Sequence, residues 1–416
     1  MLKKLFKNKI LLVLLVFVLW LVPVTISIPD QSSTEVLITA IAVDKDNESG
    51  EYEVTLQYIL PTAPNNSENL KTTSQKDKSV HKAVEKLNFQ LGKYSGIAHC
   101  RFIIFNEEVA KDNVTNILDP FLRQKTNSNN IVLLCAEDSA KEVLETSKNL
   151  DSNLYSFLNN TAFSNELKDF KELKTIGDYY EGYFGHNNSI KIFVLSTQDE
   201  SGSGASSGGG SDSSSGSTSD SSSSDGKSGG GSSQKDILNE GKAVVIKGSK
   251  QVAELTSEQN NNVNLFSKNV RRGSFEIKNF SDEFFSDANI VFDIRNKVTQ
   301  SKVYFKDGKP YYDLYLKLFL RTSEISKEKL TQQDYEILQM QYSQKLIEEI
   351  KKEIIAKLKS AEAHFKENKY DIVFCEDKFY KFKTKEYKEF LKTLPQGVEF
   401  IEEVNFNYYV DVVKSG

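Results

Sequence analysis

The first 28 residues constrain this chain more than any other part of the sequence. Four lysines between positions 3 and 9 precede an uncharged, mostly apolar run, Ile10–Ile28. At about 1.5 Å of rise per residue, a helix of roughly 20 apolar residues is long enough to cross a bilayer. Because lysines next to a membrane span stay on the cytoplasmic side, the pattern predicts that everything after Ile28 is exported.

Two interpretations of this run remain open, a retained transmembrane anchor and a cleaved secretory signal. A cleaved signal has the same basic start but a shorter apolar core and a small-residue cleavage site. The run is longer than a typical signal core and no A-x-A-like site follows it, so the sequence favours the anchor. The predicted anchor residues are Ile10, Leu11, Leu12, Val13, Leu14, Leu15, Val16, Phe17, Val18, Leu19, Trp20, Leu21 and Val22.

Composition excludes two classes of protein. The net charge is −5 although the N-terminus is basic, so the exported part is acidic and is not expected to bind nucleic acid. Three widely spaced cysteines do not form a disulfide scaffold. Cys100 and Cys135 lie in apolar, strand-like runs typical of buried thiols, and a bridge between them remains open if those strands are neighbours.

A tract made almost only of serine, glycine and aspartate occupies residues 199–234. It offers no apolar surface to offset the entropy of ordering, so it is predicted to be a disordered linker. The tract either separates two folded units or forms a long loop between elements of one body. We predict five segments: a cytoplasmic basic segment (1–9), the anchor (10–28), an N-terminal α+β domain (33–198), the linker (199–234) and a C-terminal α+β domain (235–416).

The fold class expected from these patterns is α+β, with mixed or antiparallel sheets in both domains. After the linker the sequence predicts a succession of strands, with a hairpin turn at Asp307-Gly308. A long helix should then run from Thr331 to about Asn368, opened by a capping box at Thr331 and Asp334. Its apolar stripe indicates a core helix rather than a coiled-coil partner face. The predicted strands are 35–44, 52–60, 99–105, 131–136, 190–195, 241–247, 251–255, 274–278, 288–296, 298–305, 311–320, 371–375 and 404–412. Besides the long helix, the predicted helices run from Ser79 to Gly92, over 113–124, over 139–150, onward from there to 184, and over 384–394.

These segments, in this order, resemble the Ger(x)C family, the C subunits of bacterial spore germinant receptors. The blocks that carry the resemblance are Lys71–Asp112, Phe121–Gln124, Val132–Glu145, Gly241–Leu255 and the YDIVF segment Tyr370–Phe374. The resemblance implies a receptor subunit that works with A and B subunits at a membrane, and it implies no reactive residues.

The chain departs from the family pattern at one position that matters. Family members usually carry a lipid-modified cysteine just after the signal core, whereas this chain has no cysteine before Cys100 and has Gln31–Glu35 at that place. A diacylglycerol anchor is therefore impossible there, and the apolar run must hold the protein to the bilayer. The unusual length of the serine-rich tract is a second departure, and both suggest a divergent member.

Few residues suggest chemistry. The four histidines form no H-E-x-x-H motif, and the chain has no C-x-x-C pair. His99 and Cys100 are adjacent, but neighbouring strand residues point to opposite faces and do not form a catalytic pair. Asp44, Asp46 and Glu48 could hold a divalent cation, although a solvated turn explains them better. No catalytic, cofactor-binding or metal-binding residue is therefore predicted, and the partner interface is unknown.

Three functions follow from the sequence. The first is a membrane-tethered, non-enzymatic subunit of a germinant-receptor-like complex, docking to A- and B-type subunits. The second is an extracytoplasmic protein that binds a small molecule in an envelope transport or sensing system, which would require a concave pocket. The third is an envelope-associated hydrolase, which would require a cleft with paired ionisable groups.

Overall fold

The computed structural model describes most of the chain after residue 34 as an α+β fold with two mixed sheets. The described residues are 17, 35–59, 70–92, 94–96, 99–123, 129–147, 172–199, 235–238, 241–283, 285, 287–326 and 342–415. Of the predicted anchor, only Phe17 is among them. Within the described ranges, no helix combines the length and the apolarity needed to span a bilayer.

The first sheet has 11 strands among the described residues, in the order β11-β10-β8-β6-β5-β1-β2-β3, with β4, β7 and β9 attached to β1, β6 and β8. The four central strands β1, β5, β6 and β8 are parallel to one another. The strands that flank them, β2 beside β1 and β10 beside β8, pair with them in antiparallel fashion. The strands are β1 (Glu35–Lys45), β2 (Tyr52–Ile59), β3 (Leu70–Asp77), β4 (Tyr94–Gly96), β5 (Phe102–Asn106), β6 (Val132–Ala136), β7 (Lys174–Thr175), β8 (Ser189–Asp199), β9 (Lys235–Leu238), β10 (Ala243–Lys247) and β11 (Lys250–Leu255).

Helices cover both faces of this sheet. They are α1 (Val80–Leu91), α2 (Glu107–Asp112), α3 (Val114–Leu122), α4 (Ala140–Thr146) and α5 (Ile176–Phe184). The larger apolar cluster lies between the sheet and α1, α2, α3 and α5, and a smaller one lies between the sheet and α4. The predicted end of α1 is confirmed, because Gly92 takes the left-handed conformation with φ of 59° that glycine tolerates best.

The ends of the serine-rich tract meet. Asp199, the last residue of β8, pairs with Lys235, the first residue of β9, in an antiparallel ladder. Of the two alternatives left by the sequence, this pairing favours the long loop between elements of one body. Strands on both sides of the tract share the first sheet, while the predicted domain boundaries themselves stay a prediction.

The second sheet has the order β12-β13-β14-β15. Its strands are β12 (Gly273–Phe280), β13 (Ala288–Lys306), β14 (Lys309–Ser326) and β15 (Asn405–Lys414). The predicted hairpin is confirmed: Asp307 and Gly308 have φ of 51° and 73°, as a type I′ turn requires. The division into strands 288–296 and 298–305 is wrong, since β13 is continuous and its pairing with β14 is interrupted only by register shifts, at Val291/Phe292 and at Ile294/Asn296.

The long helix α7 (Gln344–Glu367) packs on this sheet. The apolar stripe is confirmed as core, because all of its residues except the partly buried Ile347 are buried: Leu346, Ile350, Ile354, Leu358, Ala361 and Phe365. The predicted start of the long helix at Thr331 is wrong, because Ser343 has extended backbone (φ −65°, ψ 152°) and α7 begins after it. The Ser343 hydroxyl caps the helix by accepting a hydrogen bond from the Leu346 N–H. The predicted capping box at Thr331 and Asp334 lies outside the described residues, as does the helix predicted between residues 148 and 171.

The strand predicted over residues 371–375 is wrong. Residues 371–374 form a turn, in which the Asp371 carboxylate accepts hydrogen bonds from the backbone N–H groups of Val373 and Glu376. Phe374 has φ of 55°, a left-handed conformation that a β-strand does not contain. The next residue, Cys375, begins α8 (Cys375–Phe382). Strand β3 was not predicted, because an edge strand of polar residues carries no apolar alternation. The remaining helices are α6 (Ser257–Asn264), α9 (Thr384–Leu391) and α10 (Phe400–Glu403).

The cysteines are free and buried, so no bridge joins Cys100 and Cys135. The strand register explains this result, since Cys135 lies opposite Phe105. Five residues separate that position from Cys100, roughly 16 Å along a strand. A disulfide requires the two Cα atoms to lie within about 7 Å.

Candidate functional site

The acidic residues of the first hairpin do not form a metal site. Asp44 accepts hydrogen bonds from the backbone N–H groups of Ala140 (2.6 Å) and Lys141 (2.8 Å) and so caps α4. Asp46 instead accepts hydrogen bonds within its own turn, from the Glu48 N–H and the Ser49 hydroxyl. Among the described residues, no group of three or more histidine, cysteine or acidic side chains could hold a metal ion.

His99 and Cys100 are separated by burial. His99 is exposed, while Cys100 is buried and its pKa is raised to about 12 by the loss of solvent. A thiol with so high a pKa is a poor nucleophile. The expectation of a packed core position for Cys100 is confirmed.

The structure instead points to a polar seam between the two sheets. On β13, the side chains that face the first sheet are Lys297, Thr299 and Ser301, of which the first two are 6% and 8% exposed. On β8, Lys191 is buried on the side that faces α6 and is 8% exposed. Apolar side chains would be expected at such positions, so these polar groups need partners.

Helix α6 supplies most of those partners. The Lys191 ammonium group donates hydrogen bonds to the side-chain oxygens of Asn260 (2.7 Å) and Asn264 (2.5 Å). The Lys297 ammonium group donates to the backbone carbonyl of Asn264, the last residue of α6. A cation at this end of a helix is favoured by the helix dipole. Burial lowers the pKa of Lys191 to about 8 and that of Lys297 to about 7.

Glu172 is the acidic member of the seam. Its carboxylate forms an ion pair with Lys174 at 2.7 Å and accepts hydrogen bonds from Ser267 (2.9 Å) and Asn269 (2.8 Å). Burial alone would raise its pKa, but the charge of Lys174, helped by Lys191 and these hydrogen bonds, outweighs burial and lowers the pKa to about 2. Glu172 is therefore ionised at any physiological pH.

A cavity of about 370 Å³, here called the inter-sheet cleft, opens along this seam. One end contains Lys378, whose ammonium group donates to the Tyr312 hydroxyl (2.5 Å) and lies 4.7 Å from the centre of the Tyr312 ring. The wall is apolar, with Phe266, Val373 and Phe374. The cleft thus combines cations with an apolar surface, an arrangement suited to binding rather than to proton transfer.

Sequence reasoning missed this cleft. Lys191 and Lys297 each interrupt an apolar strand pattern, in IKIFV and IRNKV, and that interruption was the available signal. Arg271 and Arg272 line a second cavity of about 520 Å³, together with Lys297. Lys191 lines the inter-sheet cleft, whereas Lys297 lines the second cavity.

Comparison with known proteins places both halves of the chain in one family. Residues 34–197 match the family model "Spore germination protein N-terminal domain" and residues 240–413 match "Spore germination B3/GerAC like, C-terminal". A solved structure described as the crystal structure of the GerBC protein is 16% identical, with a TM-score of 0.50 over 90% of this chain and 97% of that one. At that identity the likeness concerns the fold alone. No curated protein matches the chain.

The two matches cover most of the sequence, with the N-terminal domain model followed by the C-terminal one. The earlier resemblance is therefore confirmed, and the chain belongs to the Ger(x)C family of spore germination proteins.

Proposed function

We propose that this chain is a membrane-tethered, non-enzymatic subunit of a spore-germinant-receptor-like complex, in which it docks to A- and B-type membrane subunits. The observation that carries the proposal is the match of both halves to the spore germination family models. Members of that family are receptor subunits rather than enzymes, so the activity assigned here is binding to partner subunits.

We further propose that residues 10–28 form a single transmembrane helix, with the rest of the chain outside the cytosol. The support is the length of the apolar run and the lysines before it. Tethering raises the effective concentration of a domain near its membrane partners, so weak docking surfaces suffice. Because no cysteine occurs before Cys100, this helix replaces the lipid anchor that is usual in the family.

Affinity isolation tests the complex. The tagged full chain is solubilised from membranes in mild detergent and its co-purifying proteins are identified by mass spectrometry. We expect A- and B-type subunits in stoichiometric amounts. Recovery of the chain alone, from membranes in which those subunits are expressed, would contradict the proposal.

A charged substitution tests the tether separately. Leu15→Arg places a charge near the middle of the apolar run, which disfavours insertion by about 2.5–3.5 kcal/mol. We expect this variant to leave the membrane fraction, while Leu15→Ile stays. The intact mass of the wild-type protein should also retain the N-terminal residues, and a mass that begins near Ser27 would show a cleaved signal instead.

A further inference from the structure

We propose that the inter-sheet cleft binds a small organic carboxylate that has a short apolar body. Nothing in the family assignment predicts this site, and the inference does not depend on assembly with A- and B-type subunits. It follows from the size of the cleft, its cations, one unsatisfied hydroxyl and its apolar wall.

The cleft has the size of a small-molecule site. Its volume of about 370 Å³ falls within the usual range of roughly 300–1,000 Å³ for such pockets. It also lies between two sheets, where elements from both halves of the chain contribute side chains. Ligand sites are common at such junctions because side chains from two directions converge there.

Two cations of the cleft, Lys191 and Lys378, form their hydrogen bonds with neutral groups. Lys191 donates to two asparagine side chains, and Lys378 donates to the Tyr312 hydroxyl. Each ammonium group carries three donors, so donors remain for a further acceptor. Glu172 acts on Lys191 and Asp371 acts on Lys378 as counter-charges, and an anion bound in the cleft would add a further counter-charge to both buried cations.

The acids that line the cleft are already engaged or lie at its rim. Glu172 is paired with Lys174. Asp178 accepts hydrogen bonds from the backbone N–H and the hydroxyl of Thr175, at the start of α5. Glu181 is exposed. The interior therefore presents Lys191 and Lys378 as its available charges, which favours an anionic ligand.

Thr299 points to the position of the ligand's acceptor. Its hydroxyl is buried, lines the cleft and has no hydrogen-bond partner among the described residues. A buried hydroxyl without a partner is unfavourable and uncommon in folded proteins. A carboxylate oxygen in the cleft would accept a hydrogen bond from this hydroxyl and remove that cost.

The opposite wall defines the rest of the ligand. Phe266, Val263, Ile372, Val373 and Phe374 line it. Phe374 is held at φ of 55°, an unfavourable conformation for a bulky residue that is often found at functional sites. Inorganic phosphate would leave this apolar surface unused, whereas a carboxylate with an apolar body would cover it.

Calorimetry on the purified full chain tests the proposal with defined probes. We expect benzoate or phenylacetate to bind saturably with a Kd below about 1 mM. Benzamide, which has the same shape without the charge, should bind at least about tenfold more weakly, because hydrogen bonds to charged groups are the stronger ones. Inorganic phosphate should not compete with the aromatic carboxylates.

Variants connect the binding to the cleft. Thr299→Val should weaken carboxylate binding about fivefold, and Thr299→Ser, which keeps the hydroxyl, should preserve it. Lys378→Met should weaken binding more than about tenfold, while Lys302→Met, on the exposed face of β13, should leave it unchanged. Since the Thr299 hydroxyl has no hydrogen-bond partner among the described residues, Thr299→Val is expected to fold. This variant therefore still tests the proposal if Lys378→Met fails to fold.

Two results would overturn the inference. One is the absence of saturable binding by either carboxylate at a Kd below about 1 mM. The other is binding with equal affinity to wild type, Thr299→Val and Lys378→Met, which would place the probe elsewhere on the protein.

Discussion

The buried lysine of β13 gives the sharpest prediction, which concerns the pH dependence of stability. The pKa of Lys297 is lowered from its ordinary 10.5 to about 7, because burial, helped by the charge of Lys191, outweighs the opposing effect of Glu172. Between pH 7 and 10.5 the unfolded chain therefore binds more protons at this residue than the folded chain. Stability must rise with pH across that window, and the full cost of the buried charge is present below pH 7.

The magnitude follows from the difference between the two pKa values. At about 1.4 kcal/mol per pH unit, the cost at neutral pH is on the order of 4 kcal/mol. Lys297→Met removes this cost but leaves the Asn264 carbonyl without its donor, which offsets roughly 1–2 kcal/mol. We expect the variant to be about 2–3 kcal/mol more stable than wild type near pH 7, and to lose that advantage as the pH approaches about 10.

Urea denaturation over a series of pH values measures this difference directly. Lys302→Met is the matched control, because Lys302 lies on the same strand with its side chain exposed. The control should differ from wild type by a small amount at every pH. A difference between Lys297→Met and wild type that does not vary with pH, or a variant less stable than wild type at pH 7, would refute the reasoning.

Three further substitutions have expected outcomes that thermal or urea denaturation can check. Phe365→Ala empties a fully buried position against Phe266 and Tyr370 and should cost about 3–5 kcal/mol; a loss below about 1 kcal/mol would mean that α7 is not packed as described. Asp44→Ala should cost about 1–2 kcal/mol, because it removes the cap of α4, and added Ca²⁺ should not stabilise the wild type; a calcium-dependent rise in Tm would restore the metal interpretation. Gly308→Ala should cost about 1 kcal/mol, since φ of 73° is unfavourable for any residue with a Cβ, and an unchanged Tm would argue against the turn.

Local signals explain the parts of the fold that the sequence predicted well. The Asp307-Gly308 turn is set by two neighbouring residues, and the stripe of α7 repeats over six turns of helix, so neither depends on distant contacts. β3 could not be predicted in this way. Its polar residues form a strand only because the edge of β2 is available for pairing.

The strand prediction for the segment around Phe374 failed for a related reason. Its letters, YDIVF, have strong β propensity, yet Asp371 binds backbone N–H groups of its own turn and starts α8. Local capping by a buried carboxylate overrides propensity there. The cleft was beyond prediction because the alternation of β8 and β13 shows which side chains share a face, whereas only the packed structure shows what that face contacts.

The pairing of β8 with β9 leads to a last prediction, on the serine-rich tract. Because Asp199 and Lys235 are already neighbours, the residues between them close a hairpin instead of spanning a distance between two bodies. Closing a loop of about 35 residues costs more entropy than closing one of about 5, by roughly 1.5–2 kcal/mol if both are flexible. Replacement of residues 200–234 by a five-residue Gly/Ser turn should therefore raise stability by about that amount and preserve the fold. A matched variant, in which the tract is replaced by a scrambled sequence of equal length, should be as stable as wild type. Unfolding or aggregation of the shortened chain would show that the two ends are not held together as the strand pairing indicates.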